Sequence, residues 1–527
     1  MPMQPVLIAG QWRAARATGA FRAENPAAGE PLPDEYPVSA WEDVDAALAA
    51  ATGAMPALRA TPPEALARFL TRYAERIEGR AEEIVSLAHL ETALPRSPRL
   101  ADVELPRTTN QLRQAARAAV EGCWALPTID TKLNIRSYYA ALGPIFVFGP
   151  NNFPLAFNSV AGGDFAAALA AGNPVIAKAN TSHAGTTRLL AEEAHEAAKD
   201  AGLPAAVVQL IYRTSHVDGE RLVADPRTGA TGYTGSRSAG LKLKAAADAA
   251  GKPIYLELSS VNPVVVLPGA LAERADGIAD EFTGSCLLGA GQFCTNPGLV
   301  VLLAGEATER FVSAVKQRFE AAAVAPLLSS AVQRSLATSM TVLQEAGARL
   351  VTGGAPAVGP GYRFANTLLR VDGARFVAEP EKLQTEAFGN ATLMVVAKDA
   401  EEAEGVLDSV EGNLTGCLYT DTDGADEALH DRLAPRLRAR VGRLLNDKMP
   451  TGVAVTPAMN HGGPFPATGH PGFTAVGIPA SMRRFGMLQC FDAVRPSRLP
   501  PALRDENPNG TMWRLIDGNW SQRDVSA

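Results

Sequence analysis

Cysteine is scarce in this 527-residue sequence, and long hydrophobic runs and runs of basic residues do not occur. The five cysteines include no CxxC pair, so their spacing favours neither a disulfide framework nor a structural zinc site, and we expect no metal. No apolar run reaches ~18 residues without polar breaks, so we expect no membrane span. The net charge of -7 gives no indication of a nucleic-acid partner.

The N-terminal residues lack a basic segment followed by a long apolar stretch, so no secretory signal is predicted. Together with the sparse, odd number of cysteines, this predicts a cytoplasmic location, where a reactive thiol stays reduced. The composition, 46% hydrophobic and 20% charged, is typical of a globular protein.

The spacing of apolar residues changes along the chain. Residues 40–122 have helical periodicity, and residues 128–142 alternate loosely and predict extended strands. From residue 143, short apolar runs alternate with alanine-rich helical segments, which predicts an α/β protein with a doubly wound sheet whose ligands lie at the carboxyl ends of its strands. The predicted strands are 144–149, 173–178, 207–211, 230–234 and 254–258, and the predicted helices are 157–171, 186–201 and 238–249. A second βα series runs from residue 264 to about residue 445.

Three polar features stand at strand ends or in small-residue loops. Asn152 follows the first predicted βαβ strand, Glu257 ends the fifth, and Cys294 lies in the glycine-rich segment 289–298. A thiol, a carboxylate and a side-chain amide suit acyl transfer, because they can attack a carbonyl, activate water and stabilise an oxyanion. Each residue alone also fits a structural role: a buried core thiol, a strand-end carboxylate or a turn asparagine.

The segment from Gly235 through Ser236 to Gly240 lies between a predicted strand and a predicted helix. It is similar to a phosphate-binding turn, but the middle glycine of G-x-G-x-x-G is missing and no Walker lysine follows. A helix start there would still offer free N–H groups to a phosphate.

Six ordered motifs resemble the aldehyde dehydrogenase superfamily over roughly residues 20–490. They are 150–154, Lys178, 233–236, 256–258, 291–294 and 386–389. The resemblance implies that Cys294 is the nucleophile, Glu257 the general base, and Asn152 with the Cys294 backbone N–H the oxyanion hole. It also implies that Lys178 holds the adenosine ribose of a nicotinamide cofactor, and that Glu386 and Phe388 hold the nicotinamide ribose and ring.

Several positions depart from the pattern of that family. Asn151 often is tryptophan in the family, Ser259 and Ser260 often are glycines, and Asn390 usually is proline. Many NAD-preferring members have a glutamate where Thr181 stands, and that carboxylate would repel a 2′-phosphate. With Arg213 nearby as a phosphate partner, the departures favour NADP, with NAD also usable.

A narrower set of segments, 257–263, 284–298, 461–468 and 504–508, resembles the 2,5-dioxopentanoate (α-ketoglutaric semialdehyde) dehydrogenase branch. Oxidation of long-chain fatty aldehydes with NADP and a non-enzymatic binding or structural role are the alternatives. Phe157, Phe293 and Phe465 are predicted walls of the substrate tunnel, although core packing explains them equally well. For a catalytic Cys294, we expect a thiol of low pKa that alkylates selectively near neutral pH.

The predicted organisation has three parts. Residues 1–127 and 143–260 are predicted to form the dinucleotide-binding domain, and residues 261–450 a catalytic domain carrying Cys294. Residues 128–142 and 485–527 are predicted to form an oligomerisation arm and tail. Because the relatives pair their subunits through such an arm, the resemblance implies a homodimer or homotetramer.

Overall fold

A computed structural model describes residues 3–525. Residues 1, 2, 526 and 527, which belong to the predicted 1–127 segment and the predicted tail, lie outside the described residues. Within the described chain, no helix is both long enough and apolar enough to cross a bilayer.

The first large sheet has seven strands in the described chain. In order across the sheet, the strands are Ile254–Glu257, Ala230–Thr234, Ile145–Phe148, Val175–Lys178, Val208–Ile211, Val6–Ile8 and Gln11–Arg13. The first five of these are parallel and the last two are antiparallel. The five parallel strands are short and apolar because both faces of the sheet are covered. The doubly wound α/β fold class predicted from the sequence is confirmed, and all five predicted strands are present with boundaries shifted by no more than two residues.

Eight helices of the described chain belong to this part of the protein. They are Trp41–Ala60, Pro63–Gly79, Ala81–Thr92, Leu105–Glu121, Gly163–Ala170, Ala184–Asp200, His216–Ala224 and Arg237–Ala249. The helix predicted from residue 157 begins only at Gly163, so that prediction was wrong by about six residues. The side-chain amide of Asn158 donates to the Pro154 carbonyl and to Thr187 Oγ1. These bonds hold the residues just before Gly163 in turns rather than helix.

The second large sheet also has seven described strands and forms the predicted second βα series. In order, its strands are Arg349–Thr352, Thr367–Asp372, Ala391–Ala397, Leu299–Leu303, Val264–Val266, Asn413–Tyr419 and Val441–Asn446. Its helices are Pro268–Leu287, Glu306–Ala321, Ser330–Glu345, Gly373–Ala378, Pro380–Leu383, Ala400–Ser409 and Glu427–Arg440. The short segment between Glu257 and Val264 joins the two sheets. Its residues can therefore form hydrogen bonds with loops of either sheet.

A five-stranded sheet joins the middle of the chain to its C-terminal part. Its strands, in order, are Gly486–Asp492, Ile135–Ala141, Thr128–Asp130, Arg514–Ile516 and Asn519–Ser521. The Gly486–Asp492 strand lies at the edge of this sheet, and its Met487 and Leu488 side chains are exposed. The extended conformation predicted for residues 128–142 is therefore present, whereas the domain boundaries given above stay predictions.

The remaining described elements are short. The small strands are Ala17–Phe21, Glu24–Asn25, Glu30–Pro31, Tyr36–Ser39 and Arg213–Thr214. The single turns of 3₁₀-helix are Cys123–Ala125, Thr181–His183, Leu288–Gly291, Ala480–Phe485, Pro496–Arg498 and Pro501–Leu503, and Arg96–Glu104 is an irregular π-helical segment. Two of these, Thr181–His183 and Leu288–Gly291, position residues of the candidate site.

Candidate active site

The backbone just before Cys294 has an unusual left-handed conformation. Gly289, Ala290 and Gly291 have φ angles of 56°, 56° and 69°. A Cβ atom on Gly291 would lie 2.1 Å from the Gly389 carbonyl oxygen, so only glycine fits at this position. This close approach packs the Cys294 loop against the segment that carries Glu386 and Phe388.

Two asparagines fix the Cys294 loop: Asn262 lies in the segment that joins the two sheets, and Asn413, the first residue of a strand of the second sheet, holds that segment. The Asn262 side-chain amide donates to the carbonyl oxygens of Cys294 and Asn296, at 2.9 Å each. The Asn413 side-chain oxygen accepts hydrogen bonds from the backbone N–H groups of Val261 and Asn262, at 2.8 and 3.0 Å. Both asparagines are buried, so these bonds stay protected from water. Sequence reasoning assigned neither residue a role.

Glu257 is the last residue of the Ile254–Glu257 strand, and it is 2% exposed. A loop from the far part of the chain pairs with the end of this strand. The Leu258 N–H donates to the Ala467 carbonyl at 2.8 Å, and the Gly469 N–H donates to the Leu256 carbonyl at 3.0 Å. These backbone bonds bring the histidine of that loop, His461, to the Glu257 carboxylate.

His461 lies between the carboxylate and the thiol. Its Nε2 atom is 2.8 Å from Glu257 Oε1 and 3.5 Å from Cys294 Sγ. A Glu257 carboxylate oxygen, the Cys294 sulfur and a His461 ring nitrogen all lie within 4.8 Å of one another. The other carboxylate oxygen, Glu257 Oε2, is buried without a hydrogen-bond partner among the described residues. His461 begins the segment 461–468, but no function was predicted for the histidine from the sequence. The signal that could have identified it is the presence of a histidine in a glycine- and proline-rich segment.

The surroundings of Cys294 contradict the predicted low pKa of its thiol. Burial raises the pKa of Cys294 well above its usual value, and the negative charge of Glu257 raises it further. The positive charge of Arg107 lowers it, but less than burial raises it. The thiol must therefore lose its proton as it reacts rather than beforehand.

Asn152 lies beside the Cys294 loop and is 5% exposed. Its side-chain nitrogen donates to the Gln292 carbonyl at 2.9 Å, and its own carbonyl accepts from Arg99 Nη2 at 3.1 Å. An amide nitrogen carries two N–H bonds, so one remains for a substrate oxygen. The three residues predicted to be catalytic, Asn152, Glu257 and Cys294, thus lie together in the structure.

Asn152, Glu257 and Cys294 line one end of a cleft of about 990 Å³. Seven residues predicted to bind the cofactor line the same cleft: Lys178, Thr181, Arg213, Gly235, Ser236, Glu386 and Phe388. The eighth, Gly240, has a different position. A Cβ atom on Gly240 would lie 2.5 Å from a Leu258 methyl group, so its glycine is explained by packing rather than by contact with a ligand.

The charges in the cleft suit a nicotinamide dinucleotide. Burial, and the positive charge of Arg213, lower the pKa of Lys178 to about 8. Lys178 and Arg213 both line the cleft, so their positive charges would stabilise an anionic phosphate there. Burial raises the pKa of Glu386 to about 7, while the Ser260 N–H donates to its carboxylate at 3.4 Å.

A cluster of aromatic side chains, which includes the sequence neighbours of Asn152 and Cys294, does not line the cleft. Phe153 contacts Phe157 and Phe293, with ring centroids 5.1 and 5.4 Å away, and Phe473 belongs to the same cluster. The structure thus places Phe157 and Phe293 next to the site. Phe465 lies outside this cluster: its side chain is 60% exposed and its ring centroid lies 6.0 Å from the Arg237 guanidinium, so its place in a substrate tunnel stays a prediction.

Comparison with protein families gives a match for most of the chain. The model described as "Aldehyde dehydrogenase family" matches residues 12–463. The chain belongs to the aldehyde dehydrogenase family. The recognition made from the motifs is confirmed, and the protein is an NAD(P)-dependent oxidoreductase of aldehydes.

Curated relatives cover nearly the whole of this aldehyde dehydrogenase. Alpha-ketoglutaric semialdehyde dehydrogenase 2 of Azospirillum brasilense is 39% identical over 98% of this chain and 99% of its own length. Alpha-ketoglutaric semialdehyde dehydrogenase of Acinetobacter baylyi is 35% identical over 91% of this chain and 92% of its own length.

Solved structures support the same fold for the enzyme. A putative aldehyde dehydrogenase from Burkholderia cenocepacia has a TM-score of 0.79 and 23% identity, covering 95% of this chain and 100% of its own. A 1-pyrroline-5-carboxylate dehydrogenase from Thermus with bound NAD has a TM-score of 0.80 and 24% identity, covering 93% and 92%.

The aldehyde dehydrogenase also has two arginines beside the aromatic cluster. Arg99 pairs with the Glu104 carboxylate, and its guanidinium lies 4.4 Å from the Phe153 ring centroid. Arg107 lies 4.9 Å from the Phe157 ring centroid, and its Nε and Nη2 atoms are buried with no hydrogen-bond partner in residues 3–525. Burial lowers the pKa of Arg107, although the charges of Glu104, Cys294 and Glu257 oppose this effect.

Proposed function

We propose that the enzyme oxidises 2,5-dioxopentanoate to 2-oxoglutarate, with Cys294 as the nucleophile. The observation that carries this proposal is the convergence of Cys294, His461 and Glu257 at the end of the dinucleotide cleft. The choice of substrate is supported by the names of the two relatives that are 39% and 35% identical to this chain over more than 90% of its length.

The reaction begins when the Cys294 sulfur attacks the aldehyde carbon and a thiohemiacetal forms. The thiol proton passes to the aldehyde oxygen as the carbon–sulfur bond forms, so no free thiolate is needed although burial raises the thiol pKa. His461 Nε2 donates to Glu257 Oε1, 2.8 Å away, and holds that carboxylate beside the sulfur. The Asn152 side-chain amide and the Cys294 backbone N–H donate to the substrate oxygen as negative charge develops on it.

Lys178 would hold the adenosine ribose of a bound NAD(P)⁺, and Glu386 and Phe388 would hold its nicotinamide ribose and ring. The cofactor would supply the hydride acceptor for oxidation of the thiohemiacetal to a thioester on Cys294, while the hydroxyl proton passes to water. Glu257 then removes a proton from water, which attacks the thioester carbon, and Glu257 returns that proton to the sulfur, so that the carboxylic acid and the Cys294 thiol are released. The unpartnered Oε2 atom of Glu257 is available to bind that water.

We also propose that the enzyme prefers NADP and uses NAD less efficiently. Thr181 and Arg213 line the cleft with Lys178, so a hydroxyl and two cations face the place of a 2′-phosphate. Glu220 lines the same cleft and is the carboxylate that would instead favour the 2′-hydroxyl of NAD. The ratio of kcat/KM for the two cofactors should favour NADP in wild type and shift toward NAD in Thr181→Glu. A strong wild-type preference for NAD would overturn the proposal.

The assembly and location are proposed on separate observations. We propose a homodimer or homotetramer, because the edge strand Gly486–Asp492 exposes two apolar side chains. A reducing cytoplasm suits the five cysteines, all of which are free thiols in the structure.

Steady-state assays with an aldehyde panel test the proposed substrate. The panel contains 2,5-dioxopentanoate, pentanal and a long apolar aldehyde, each assayed with NADP and NAD, and Cys294→Ala is the inactive control. We expect the highest kcat/KM for 2,5-dioxopentanoate. A higher value for the long aldehyde would replace this proposal with fatty aldehyde oxidation.

A further inference from the structure

Arg107 lies close enough to Cys294 for its positive charge to lower the thiol pKa, and it does not line the dinucleotide cleft. Cys294 lines that cleft, whereas the cluster of Phe153, Phe157 and Phe293 does not. The Arg107 guanidinium lies 5.7 Å from the Phe153 ring centroid and 4.9 Å from that of Phe157. Phe293 immediately precedes Cys294 and packs on Phe153, so the same aromatic group joins the arginine to the thiol.

The Glu104 carboxylate, whose charge acts on Arg107, is already bonded to other groups. Glu104 Oε2 pairs with Arg99, and Glu104 Oε1 accepts the backbone N–H groups of Leu155 and Ala156 at 2.9 and 3.0 Å. Arg107 Nε and Nη2 therefore have no acceptor among the described residues, although both atoms are buried. Arg107 as a whole is half-buried, but two of its three guanidinium nitrogens are buried without a partner in the described chain, which is costly unless a ligand supplies an acceptor.

We propose that Arg107 binds the distal carboxylate of the substrate and so makes the enzyme selective for acidic aldehydes. The inference rests on the proposed function, since it names the residue that recognises the carboxylate end of 2,5-dioxopentanoate. The planar guanidinium donates two N–H bonds to the two carboxylate oxygens, while the aromatic rings pack along the intervening carbons. The aldehyde group at the other end of the chain then lies at Cys294.

The test compares aldehydes of equal length with and without the carboxylate. For each variant, kcat/KM is measured for 2,5-dioxopentanoate, for 5-oxopentanoate and for pentanal. The variants are Arg107→Met, Arg107→Lys and Arg113→Met. Arg113 lies on the same helix and pairs with Glu78 at the surface, so Arg113→Met is the matched control. Thermal unfolding checks that each variant is folded, and Arg107→Lys keeps the test informative if the methionine variant is not.

In Arg107→Met, the ratio of kcat/KM for either acidic aldehyde to that for pentanal should fall about a hundredfold. The fall should be smaller in Arg107→Lys, which keeps the charge but not the paired donors, and absent in Arg113→Met. Inhibition by the product 2-oxoglutarate should weaken in parallel, because the product keeps the distal carboxylate.

Two results would overturn the inference and leave the proposed function standing. One is an unchanged ratio in a folded Arg107→Met enzyme whose wild type prefers acidic aldehydes. The other is an equal loss for acidic and uncharged aldehydes, which would mean that Arg107 supports the structure of the site. A wild-type enzyme without any preference for acidic aldehydes would instead contradict the proposed substrate itself.

Discussion

At the scale of single residues, the thiol of Cys294 is controlled by the charges of its neighbours. Glu257 raises its pKa and Arg107 lowers it, while burial has the largest effect and raises it. His461 Nε2 lies 2.8 Å from Glu257 Oε1 and 3.5 Å from the sulfur, so the imidazole holds the carboxylate beside the thiol. The raised thiol pKa means that the sulfur loses its proton as it reacts rather than beforehand.

Alkylation by iodoacetamide measures this control directly. In wild type, the labelling of Cys294 should be slow at neutral pH and rise as the pH is raised, because only the thiolate reacts. Glu257→Gln removes a negative charge and should move this rise to lower pH. Arg107→Met removes a positive charge and should move it to higher pH. Peptide mass spectrometry over a pH series gives the labelling rate for each cysteine.

Cys123, which is half-buried and lies outside both the Cys294 site and the edge strand, is the internal control for that experiment, since its labelling should follow the same pH dependence in all three proteins. Fast labelling of wild-type Cys294 at neutral pH, or shifts of the same sign in the two variants, would contradict the charge assignment.

Individual site residues differ in how far the sequence predicts them. Asn152, Glu257 and Cys294 follow strands or lie in small-residue loops, and their motifs keep a fixed order, so their identity was predictable. His461 lies 167 positions after Cys294 and 204 after Glu257, and only tertiary packing brings it to them. Arg107 looks like an ordinary helix residue in the sequence. Its functional interest comes from burial without a partner, which only the structure shows.

At the scale of elements, the loop before Cys294 depends on one close backbone approach. Gly291 has φ +69°, and a Cβ atom there would meet the Gly389 carbonyl oxygen at 2.1 Å. Gly291→Ala should therefore lower the free energy of unfolding by about 2 kcal/mol or more and displace the Cys294 loop, with a marked loss of kcat. Chemical denaturation and steady-state assays measure the two effects.

Gly284→Ala is the matched control for this change. Gly284 lies in the Pro268–Leu287 helix, and no atom lies within 4 Å of the position of its missing Cβ. Alanine favours helix over glycine, so this variant should be as stable as wild type or more stable. If both alanine variants were equally stable and active, the account of the loop would fail.

Element boundaries were predictable where one physical signal acts alone. The buried strands Val175–Lys178 and Ala230–Thr234 are short apolar runs, and the structure places them within two residues of the prediction. The segment after Asn152 has the alanine content of a helix, but Asn158 bonds the backbone into turns and the helix begins at Gly163. The side-chain hydrogen bond of Asn158 therefore outweighs the helix propensity of the neighbouring alanines.

At the scale of the whole molecule, the edge strand Gly486–Asp492 is the feature that predicts pairing with a second copy of the chain. Its outer side has no neighbouring strand in the described chain, and Leu488 is 59% exposed. Edge strands with exposed apolar side chains are sites of pairing between chains. Leu488→Lys should therefore shift the enzyme from a dimer or tetramer toward smaller species in light-scattering measurements after gel filtration.

Val358→Lys is the control for this substitution. Val358 is fully exposed in the Gly/Pro-rich loop around residues 353–361, so a charge there should leave the assembly unchanged. A wild-type enzyme that elutes with the mass of one chain would contradict the proposed assembly.

The central claim is that Cys294 carries the acyl group and that Glu257 is needed to release it. The most direct measurement mixes Glu257→Gln rapidly with 2,5-dioxopentanoate and oxidised cofactor, follows reduced nicotinamide by absorbance, and then determines the mass of each cysteine peptide. We expect a burst of about one reduced cofactor per active site, little further turnover, and an acyl group on the Cys294 peptide. No burst and an unmodified Cys294 peptide, or an acyl group on a different cysteine, would contradict the claim.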